Sequence, residues 1–365
     1  MSERERGAVK SRPEVLAPAG DWDALRAAVS HGADAVYFGI PGFNARYRAK
    51  NFETNELPEV FAYLRKHNVR GYVAFNTLVF SDELPEAVAA LAGAAKAGAD
   101  AFIVQDLGVA RLLKTAAPAV AVHGSTQMTL TEPRGIEFVQ RLGVERVILA
   151  HELSLDEVKA VAERTAVELE VFVHGALCVA YSGQCLTSEA LGGRSANRGQ
   201  CAQACRMPYA LVVDGRVRDL GDKSYLLSPQ DLSAHSLVGD LLAAGVKSLK
   251  IEGRLKGAPY VSATTQTYRA AVDAALQGEQ YTPSRQESRD LEQSFSRGLS
   301  LGFLGGLNHQ TLVPARFPKS RGVRVGDVTG VTKRGVVVRL DERHPDAAFL
   351  QPGDGVVFDL ARPES

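Results

Sequence analysis

Short apolar runs alternate with longer amphipathic segments from residue 14 onward. Many of these runs follow a glycine, as in "HGADAVYFGI" (31–40), "AGADAFIVQD" (97–106) and "AGVKSLKIEG" (244–253). A glycine at this point suits the residue after a helix, where positive φ is required, and the apolar run suits a buried parallel strand. The pattern predicts eight strands: 15–18, 35–39, 71–76, 101–106, 120–124, 146–151, 169–175 and 248–253.

Helical patterns lie between nearly all of these strands. "DWDALRAAVSHG", "ELPEVFAYLRKH" and "SLDEVKAVAERT" are examples, and several such segments open with Asp, Glu or Ser, as capped helices do. Eight β/α alternations within about 250 residues predict an α/β fold of the (β/α)8 TIM-like barrel type. A doubly wound open sheet is the alternative.

The alternation breaks after the seventh strand. Some seventy residues (176–247) separate it from the eighth, and they include "YALVVDGRVRDLG", which predicts a hairpin with Asp-Gly at its turn. A long insertion after a barrel strand lies at the catalytic face of the barrel. We therefore expect this insertion to contribute to a functional site.

The remaining chain predicts four segments. Residues 1–13 form a polar N-terminal tail, and 14–277 form the barrel domain with its insertion. Residues 278–316 are polar and Gly-rich and predict a linker or helical extension. From 317 to 365, strand patterns joined by Gly turns predict a small β-barrel module, and its abrupt end at Ser365 is compatible with a truncated or minimal version of a longer chain.

The composition says more about the possible binding partners of the protein than about its fold. Lys plus Arg equals Asp plus Glu, 42 each, so any nucleic-acid binding requires a local basic patch. The N-terminal residues "MSERERGAVKSR" are not a signal peptide, and no run of about 18 apolar residues predicts a membrane span. We expect a cytoplasmic protein.

Polar, chemically capable residues follow nearly every predicted strand. Carboxyl ends of barrel strands face the active site, so we expect one shared cavity there, although strand ends are also polar simply because loops begin there. The catalytic candidates are His151, His174, Lys250 and Glu252. The substrate-binding candidates are Arg46, Asn76, Gln105, His123, Gln127, Arg198 and Arg254.

"KIEGRLK" is the most specific of these strand ends. Lys250 and Glu252 share one strand face at period two, and Arg254 continues it. An Arg and a Lys that face a barrel mouth suit a carboxylate or phosphate ligand. The alternative is a structural ion pair of Glu252 with Lys250 or Arg254.

All four cysteines lie within one stretch, Cys178, Cys185, Cys201 and Cys205, spaced Cys-x6-Cys-x15-Cys-x3-Cys. Disulfides are rare in the cytoplasm, and structural zinc usually shows closer pairs. A catalytic thiol needs one cysteine and a histidine partner, and His174 precedes Cys178 by four residues. An iron–sulfur cluster tolerates irregular spacing from a loop, and we prefer it to zinc. Four buried structural cysteines are the remaining alternative.

The stretch "VFVHGALCVAYSGQCLTSEALGGRSANRGQCAQACRMPY" closely resembles the signature region of the peptidase U32 family, the collagenase-like peptidases. "VLAPAGDWDALRAAVSHGADAVYFG" and "LKIEGRLKGAPYVSATTQTYRAAVD" are similar to two further blocks of that family, so the resemblance spans roughly residues 14–316. One departure is visible: members usually have Gln-Pro-Cys-Arg where this chain has Ala204 before Cys205.

The resemblance implies hydroxylation of a nucleobase in RNA. Similar members modify a cytidine of 23S ribosomal RNA or a wobble uridine of transfer RNA and require prephenate, a dicarboxylate. A further branch, for ubiquinone, holds a 4Fe–4S cluster on four cysteines. By motif position, the ligands here would be the four cysteines already named. Arg46, Arg194, Arg198, Arg206 and Arg254 would hold RNA phosphates or prephenate.

Two other functions stay open from the sequence. The family name implies a peptidase, for which Cys178 with His174, or a metal-activated water, are the candidates; HExxH is missing from the chain. A scaffold that binds RNA or protein around a structural metal is the third interpretation.

Overall fold

The computed structural model describes residues 12–45, 49–342 and 350–359. Their strands are β1 (Glu14–Pro18), β2 (Ala35–Gly39), β3 (Arg70–Phe75), β4 (Ala101–Val104), β5 (Ala121–Gly124), β6 (Arg146–Ile148), β7 (Glu168–Ala176), β8 (Val212–Val213), β9 (Arg216–Val217), β10 (Asp231–Ser233), β11 (Ser248–Ile251), β12 (Leu299–Ser300), β13 (Gly326–Thr332) and β14 (Gly335–Leu340).

The helices of the same residues alternate with the strands. They are α1 (Trp22–Ser30), α2 (Leu57–Lys66), α3 (Leu84–Ala97), α4 (Leu107–Ala116), α5 (Pro133–Arg141), α6 (Leu155–Ala162), α7 (Thr187–Gly192), α8 (Val238–Ala243), α9 (Ala258–Leu276), α10 (Arg285–Ser294) and α11 (His309–Leu312). Asp21, Asp106 and Ser154 cap α1, α4 and α6, as the sequence pattern predicts.

Eight parallel strands close into a barrel. β1 to β7 pair in chain order, and β11 pairs with both β7 and β1, which completes the ring. The helices that follow the strands surround this ring, and α9 packs against α1, α8 and α10. The predicted (β/α)8 TIM-like fold is therefore confirmed, and the doubly wound open sheet is excluded.

The segment between β7 and β11 extends the sheet before it returns to the barrel. β10 pairs antiparallel with β7, and β12 pairs with β10. The predicted hairpin is present as β8 and β9, and its turn places Asp214 (φ 52°) and Gly215 (φ 74°) in the left-handed region. Such a two-residue turn matches the twist of antiparallel strands.

The interior of the barrel is charged near the amino ends of its strands. Arg146 Nη1 lies 2.7 Å from Glu14 Oε1 and 3.6 Å from Glu170 Oε2, and all three side chains are buried. Tyr72 donates a hydrogen bond of 2.7 Å to Glu14. Most barrels fill this layer with branched apolar side chains. In this chain, the buried and paired side chains of Glu14, Arg146 and Glu170 fill this layer instead, and we call it the charged floor of the barrel.

The C-terminal region is described as far as Asp359. β13 and β14 form an antiparallel pair of largely exposed residues, as the predicted strand pattern requires. Closure of this region into a small barrel stays a prediction, as do the boundaries of the four segments. Among the described residues, the model contains no helix with the length and apolar character to cross a bilayer.

Candidate active site at the carboxyl end of the barrel

A cavity of about 640 Å³ opens at the carboxyl ends of the barrel strands. The insertion contributes all four cysteines to its lining. The barrel contributes six of the sequence-predicted residues: Asn76, Gln127, His151, Lys250, Glu252 and Arg254. Most of the residues chosen because they follow strands therefore do meet in one cavity, together with the cysteines.

The "KIEGRLK" residues form one wall of this cavity. Lys250 Nζ donates to Glu170 Oε1 at 2.8 Å, and Glu252 Oε2 accepts from the hydroxyl of Tyr37 at 3.2 Å. Arg254 Nη1 donates to Asn44 Oδ1 at 3.2 Å. The alternative of an ion pair within the motif is thus not realised for Lys250, which pairs instead with Glu170 of the neighbouring strand β7.

A glycine permits the close packing of this wall. A Cβ atom on Gly20, in the loop after β1, would lie 2.3 Å from the backbone oxygen of Arg254. Only a residue without a side chain allows the β1–α1 loop to approach Arg254 this closely.

Aromatic rings surround the amine of Lys250. The nitrogen lies 4.3 Å from the ring centroid of Tyr37 and 5.4 Å from that of Phe172. His151 stacks on Phe172, with centroids 4.4 Å apart and an interplanar angle of 23°. Cations over aromatic faces are stabilised by the ring quadrupole, so both rings favour a positive charge at this nitrogen.

Amide side chains form the opposite wall. Asn76 donates to Ser125 Oγ at 3.2 Å and accepts from the backbone of Ala45 at 3.0 Å. Gln105 is buried behind this wall and donates to the backbone oxygen of Gln127 at 3.4 Å. Its Oε1 atom is buried and has no hydrogen-bond partner among the described residues. These amides can donate to and accept from a polar ligand.

The four cysteines are free thiols. Burial raises the pKa of Cys178 to about 11 and also raises the pKa of Cys205, and the other three cysteines add to the effect at Cys178. The backbone amide of Gln203 donates to Cys201 Sγ at 3.4 Å. Thiols with raised pKa values stay protonated at neutral pH unless a bound metal stabilises the thiolate.

The donor set fits an iron–sulfur cluster in its chemistry. Four thiols of one insertion line one cavity, and the backbone N–H of Gln203 donates to the sulfur of Cys201. Among the described residues, no three Cys, His, Asp or Glu side chains are close enough to bind one metal ion.

Four positively charged side chains form a further wall of the cavity, the outer wall. The sequence pattern does not identify them as one group. Arg206, Arg297, Lys256 and Lys319 line the cavity. Arg206 donates to Ser228 Oγ at 2.7 Å, and Arg297 pairs with the buried carboxylate of Asp231. Burial lowers the pKa of Lys256 to about 8, and the charge of Arg297 contributes. Arg206 was one of the positively charged residues expected at the barrel mouth, while the others lie on loops without a periodic pattern.

His174 lies outside the cavity, contrary to the expectation that it stands beside the cysteines. A bulge shifts the pairing of β7 with β11, so that Phe172 pairs with Lys250 but His174 pairs with Ile251. His174 Nδ1 lies 3.3 Å from the hydroxyl of Tyr268 on α9. Because a bulge changes which face a residue occupies, His174 is directed to the helix layer and has no geometric support as a catalytic partner of Cys178.

Besides Gln105, two other sequence-predicted residues also do not line the cavity. His123 is buried within the charged floor of the barrel, with its ring 4.8 Å from that of Tyr72. Arg198 pairs with Glu83 and lies 4.7 Å from the ring of Phe80, so it attaches the insertion to the β3–α3 loop. The predicted substrate-binding residue Arg46 lies outside the described residues.

A (β/α)8 barrel whose carboxyl-end cavity holds thiols, cations and amides has the architecture of a barrel enzyme. Residues 20–314 match the model of Peptidase family U32. The chain therefore belongs to peptidase family U32.

Three relatives resemble nearly the whole chain. It is 38% identical over 356 residues to the 23S rRNA 5-hydroxycytidine synthase of Escherichia coli, an alignment that covers 94% of this chain and 52% of that protein. It is 37% identical to an uncharacterized protease of Methanocaldococcus jannaschii (94% and 86% covered) and 33% identical to tRNA hydroxylation protein P1 of Bacillus subtilis (96% and 84%). The chain spans about half the length of the first of these relatives.

Proposed function

We propose that this protein hydroxylates a pyrimidine base of ribosomal or transfer RNA at carbon 5. In this proposal, Cys178, Cys185, Cys201 and Cys205 hold a 4Fe–4S cluster, and prephenate is the co-substrate. The names of the ribosomal RNA and transfer RNA relatives support the reaction class. The cluster and prephenate come from the resemblance of the cysteine region to its family.

One observation carries the proposal: the four thiols and the cations of the barrel wall line the same cavity. A redox centre and an anionic co-substrate would then be held beside one bound base. A four-thiolate cluster supplies one-electron transfer when it is bound. Hydroxylation replaces C–H with C–OH, so the base loses two electrons and gains one oxygen atom.

The residues of the chain would bind and orient the reactants. A pyrimidine must leave its base stack to enter a barrel mouth, so loops and single strands are the expected RNA context. The side-chain amides of Asn76 and Gln127 can form hydrogen bonds with the polar edge of such a base. Arg254 on the inner wall and Arg206 and Arg297 on the outer wall are positioned to hold carboxylates or phosphates.

The peptidase alternative receives less support from the site. A cysteine peptidase needs a thiol with a histidine base within hydrogen-bond reach. Burial raises the pKa of Cys178, and the bulge in β7 directs His174 towards Tyr268 instead. The geometry therefore favours the RNA hydroxylase over a Cys178–His174 protease.

The first test is anaerobic purification, followed by an absorption spectrum and a count of iron, sulfide and zinc. We expect about four irons and four sulfides per chain. Cys201→Ala is expected to lose the colour, whereas Val217→Ala, on the exposed β9 of the same insertion, is expected to keep it. Zinc alone, or a fully coloured Cys201→Ala protein, would contradict the cluster assignment.

The second test concerns the reaction. RNA from a strain that lacks the gene would be analysed by mass spectrometry for loss of a hydroxylated pyrimidine. The wild-type gene and Val217→Ala should restore the modification, and Cys201→Ala should not. Unchanged RNA, together with peptide cleavage that depends on Cys178, would favour the peptidase.

A further inference from the structure

Lys250 occupies an unusual position for a lysine. It lies on β11, the last strand of the barrel, and its side chain is almost completely buried while it still lines the cavity. Lysine is rarely buried, because removing its ammonium group from water is costly. A buried amine that remains open to a ligand cavity therefore requires an explanation beyond packing.

The partners of Lys250 explain how its charge is tolerated. Glu170 lies 2.8 Å from its nitrogen, and Arg146 and Glu14 complete a buried set of two acids and two bases. While both glutamates are ionised, this set is neutral only if the nitrogen of Lys250 is positive. Chemistry that keeps a positive charge at this nitrogen would leave the charge balance intact.

Burial and a neighbouring cation lower the affinity of Lys250 for its proton, in opposition to the two aromatic rings. Burial lowers the pKa of its ammonium group, and Arg254 acts in the same direction. Glu170 and Glu252 oppose this effect but do not cancel it. The neutral amine is therefore accessible at a lower pH than in an ordinary lysine, and Glu170 stands within hydrogen-bond distance to take the proton.

A carboxylate anchor stands beside this amine. The guanidinium carbon of Arg254 lies 5.7 Å from the ring centroid of Tyr37, over which the nitrogen of Lys250 also lies. Guanidinium groups prefer carboxylates, and amines add to carbonyl carbons. A ligand whose carbonyl carbon is bonded directly to a carboxylate matches this pair of groups.

We propose that Lys250 binds a 2-oxo acid covalently, as an imine between its side-chain nitrogen and the oxo carbon. The inference deepens the proposed function, on which it rests for its biological ligand, because prephenate is itself a 2-oxo acid. Arg254 holds the carboxylate. The hydroxyl of Tyr37, which donates to Glu252 Oε2 at 3.2 Å, stands at the same wall and can turn its proton to the oxo group.

Formation of this imine requires no oxidant or reductant, because it only exchanges a C–O bond for a C–N bond and releases water. The ammonium group gives a proton to Glu170, and the neutral amine forms a C–N bond to the oxo carbon. A proton moves from that nitrogen to the former oxo oxygen, the resulting hydroxyl takes the proton back from Glu170, the C–O bond breaks, and water leaves. The iminium product carries the same positive charge as the ammonium group, so the buried set around Glu170 stays neutral.

Reductive trapping tests this inference. The whole protein is incubated with pyruvate, the smallest stable 2-oxo acid, and with cyanoborohydride, which reduces an imine to a stable amine. We expect one added pyruvoyl-derived group per chain in the intact mass, on the peptide that contains Lys250. Lys250→Met should lose this adduct, and Lys247→Met, just before the same strand, should keep it.

A second variant and a control without the cluster separate loss of the imine from other causes of a missing adduct. If Lys250→Met fails to fold, Lys250→Arg keeps a cation for Glu170 and should still give no adduct. An adduct on other lysines only, or none on folded wild-type protein, would overturn the proposal. Trapping needs neither cluster nor RNA, so the wild-type protein without RNA, and with its iron removed by a chelator, should still trap pyruvate. A failure of the hydroxylase proposal would thus be distinguishable from a failure of this one.

Discussion

The carboxylate of Glu170 on β7 and the amine of Lys250 on β11 lie 2.8 Å apart inside the barrel, with side chains 0% and 4% exposed. The two residues are eighty positions apart in the sequence, and the pairing of β7 with β11 brings them together. This contact connects the charged floor of the barrel with the cavity above it.

Glu170→Gln is expected to destabilise the protein strongly. The substitution leaves Lys250 buried without its opposite charge, which typically costs about 3–5 kcal/mol. Glu168→Gln is the matched control, because Glu168 also pairs with Arg146 but is half exposed. It should cost about 1 kcal/mol or less. Urea unfolding of both variants measures the difference, and equal small losses would mean that the Glu170 pair contributes little.

The barrel can be predicted from the sequence because each of its strands and helices has a recognisable local pattern. Each apolar run and each capped helix is readable within about a dozen residues, and the ring closes from such units. The carboxyl-end rule then places Asn76, Gln127 and Lys250 in one cavity. Glu14, Arg146 and Glu170 were missed, because a single acid or arginine within an apolar strand does not reveal a partner on a distant strand.

The misplacement of His174 has a specific cause. Strict alternation along β7 would place it on the same face as Phe172, but the bulge inserts one residue between the two. Single bulges leave no signature in an apolar strand. The outer-wall residue Arg297 was missed for a different reason: only the tertiary fold brings its loop to the cavity.

Arg198→Ala is expected to loosen the insertion without weakening a phosphate contact. The guanidinium pairs with Glu83 and with the backbone of Leu78, so its loss should raise hydrogen exchange across residues 178–206. Glu83→Gln breaks the same pair and should have a similar effect. Binding of a pyrimidine-rich RNA oligonucleotide, measured at several salt concentrations, should keep its salt dependence. If the slope of the logarithm of the binding constant against the logarithm of the salt concentration decreases in magnitude by about one, Arg198 contacts a phosphate.

Arg254→Ala is expected to affect a dicarboxylate more than RNA. Loss of a charged hydrogen-bond donor costs about 1.5–3 kcal/mol, which corresponds to about 10- to 100-fold weaker prephenate binding by titration calorimetry. Asn44→Ala removes the acceptor that orients Arg254 and should have a smaller effect of the same kind. Equal losses for prephenate and RNA would indicate that Arg254 only maintains the structure of the wall.

His174 is expected to make the protein less stable in mild acid. Burial lowers the pKa of His174 to about 4, so the folded protein keeps the ring neutral while the unfolded chain binds a proton below about pH 6.5. The stabilisation is present above that pH and is lost as the pH falls towards the folded pKa. Between pH 7.5 and 5, this contribution amounts to about 2 kcal/mol of unfolding free energy.

His174→Gln removes this titration and should therefore show a smaller difference in unfolding free energy between the two pH values. Tyr268→Phe is the matched control, because it removes the hydroxyl 3.3 Å from His174 Nδ1 but leaves the ring that titrates. That variant should be less stable at both pH values, with the wild-type difference between them. Urea unfolding at pH 7.5 and pH 5 measures all three proteins. A His174→Gln protein with the full wild-type difference would show that another group causes the loss of stability in acid.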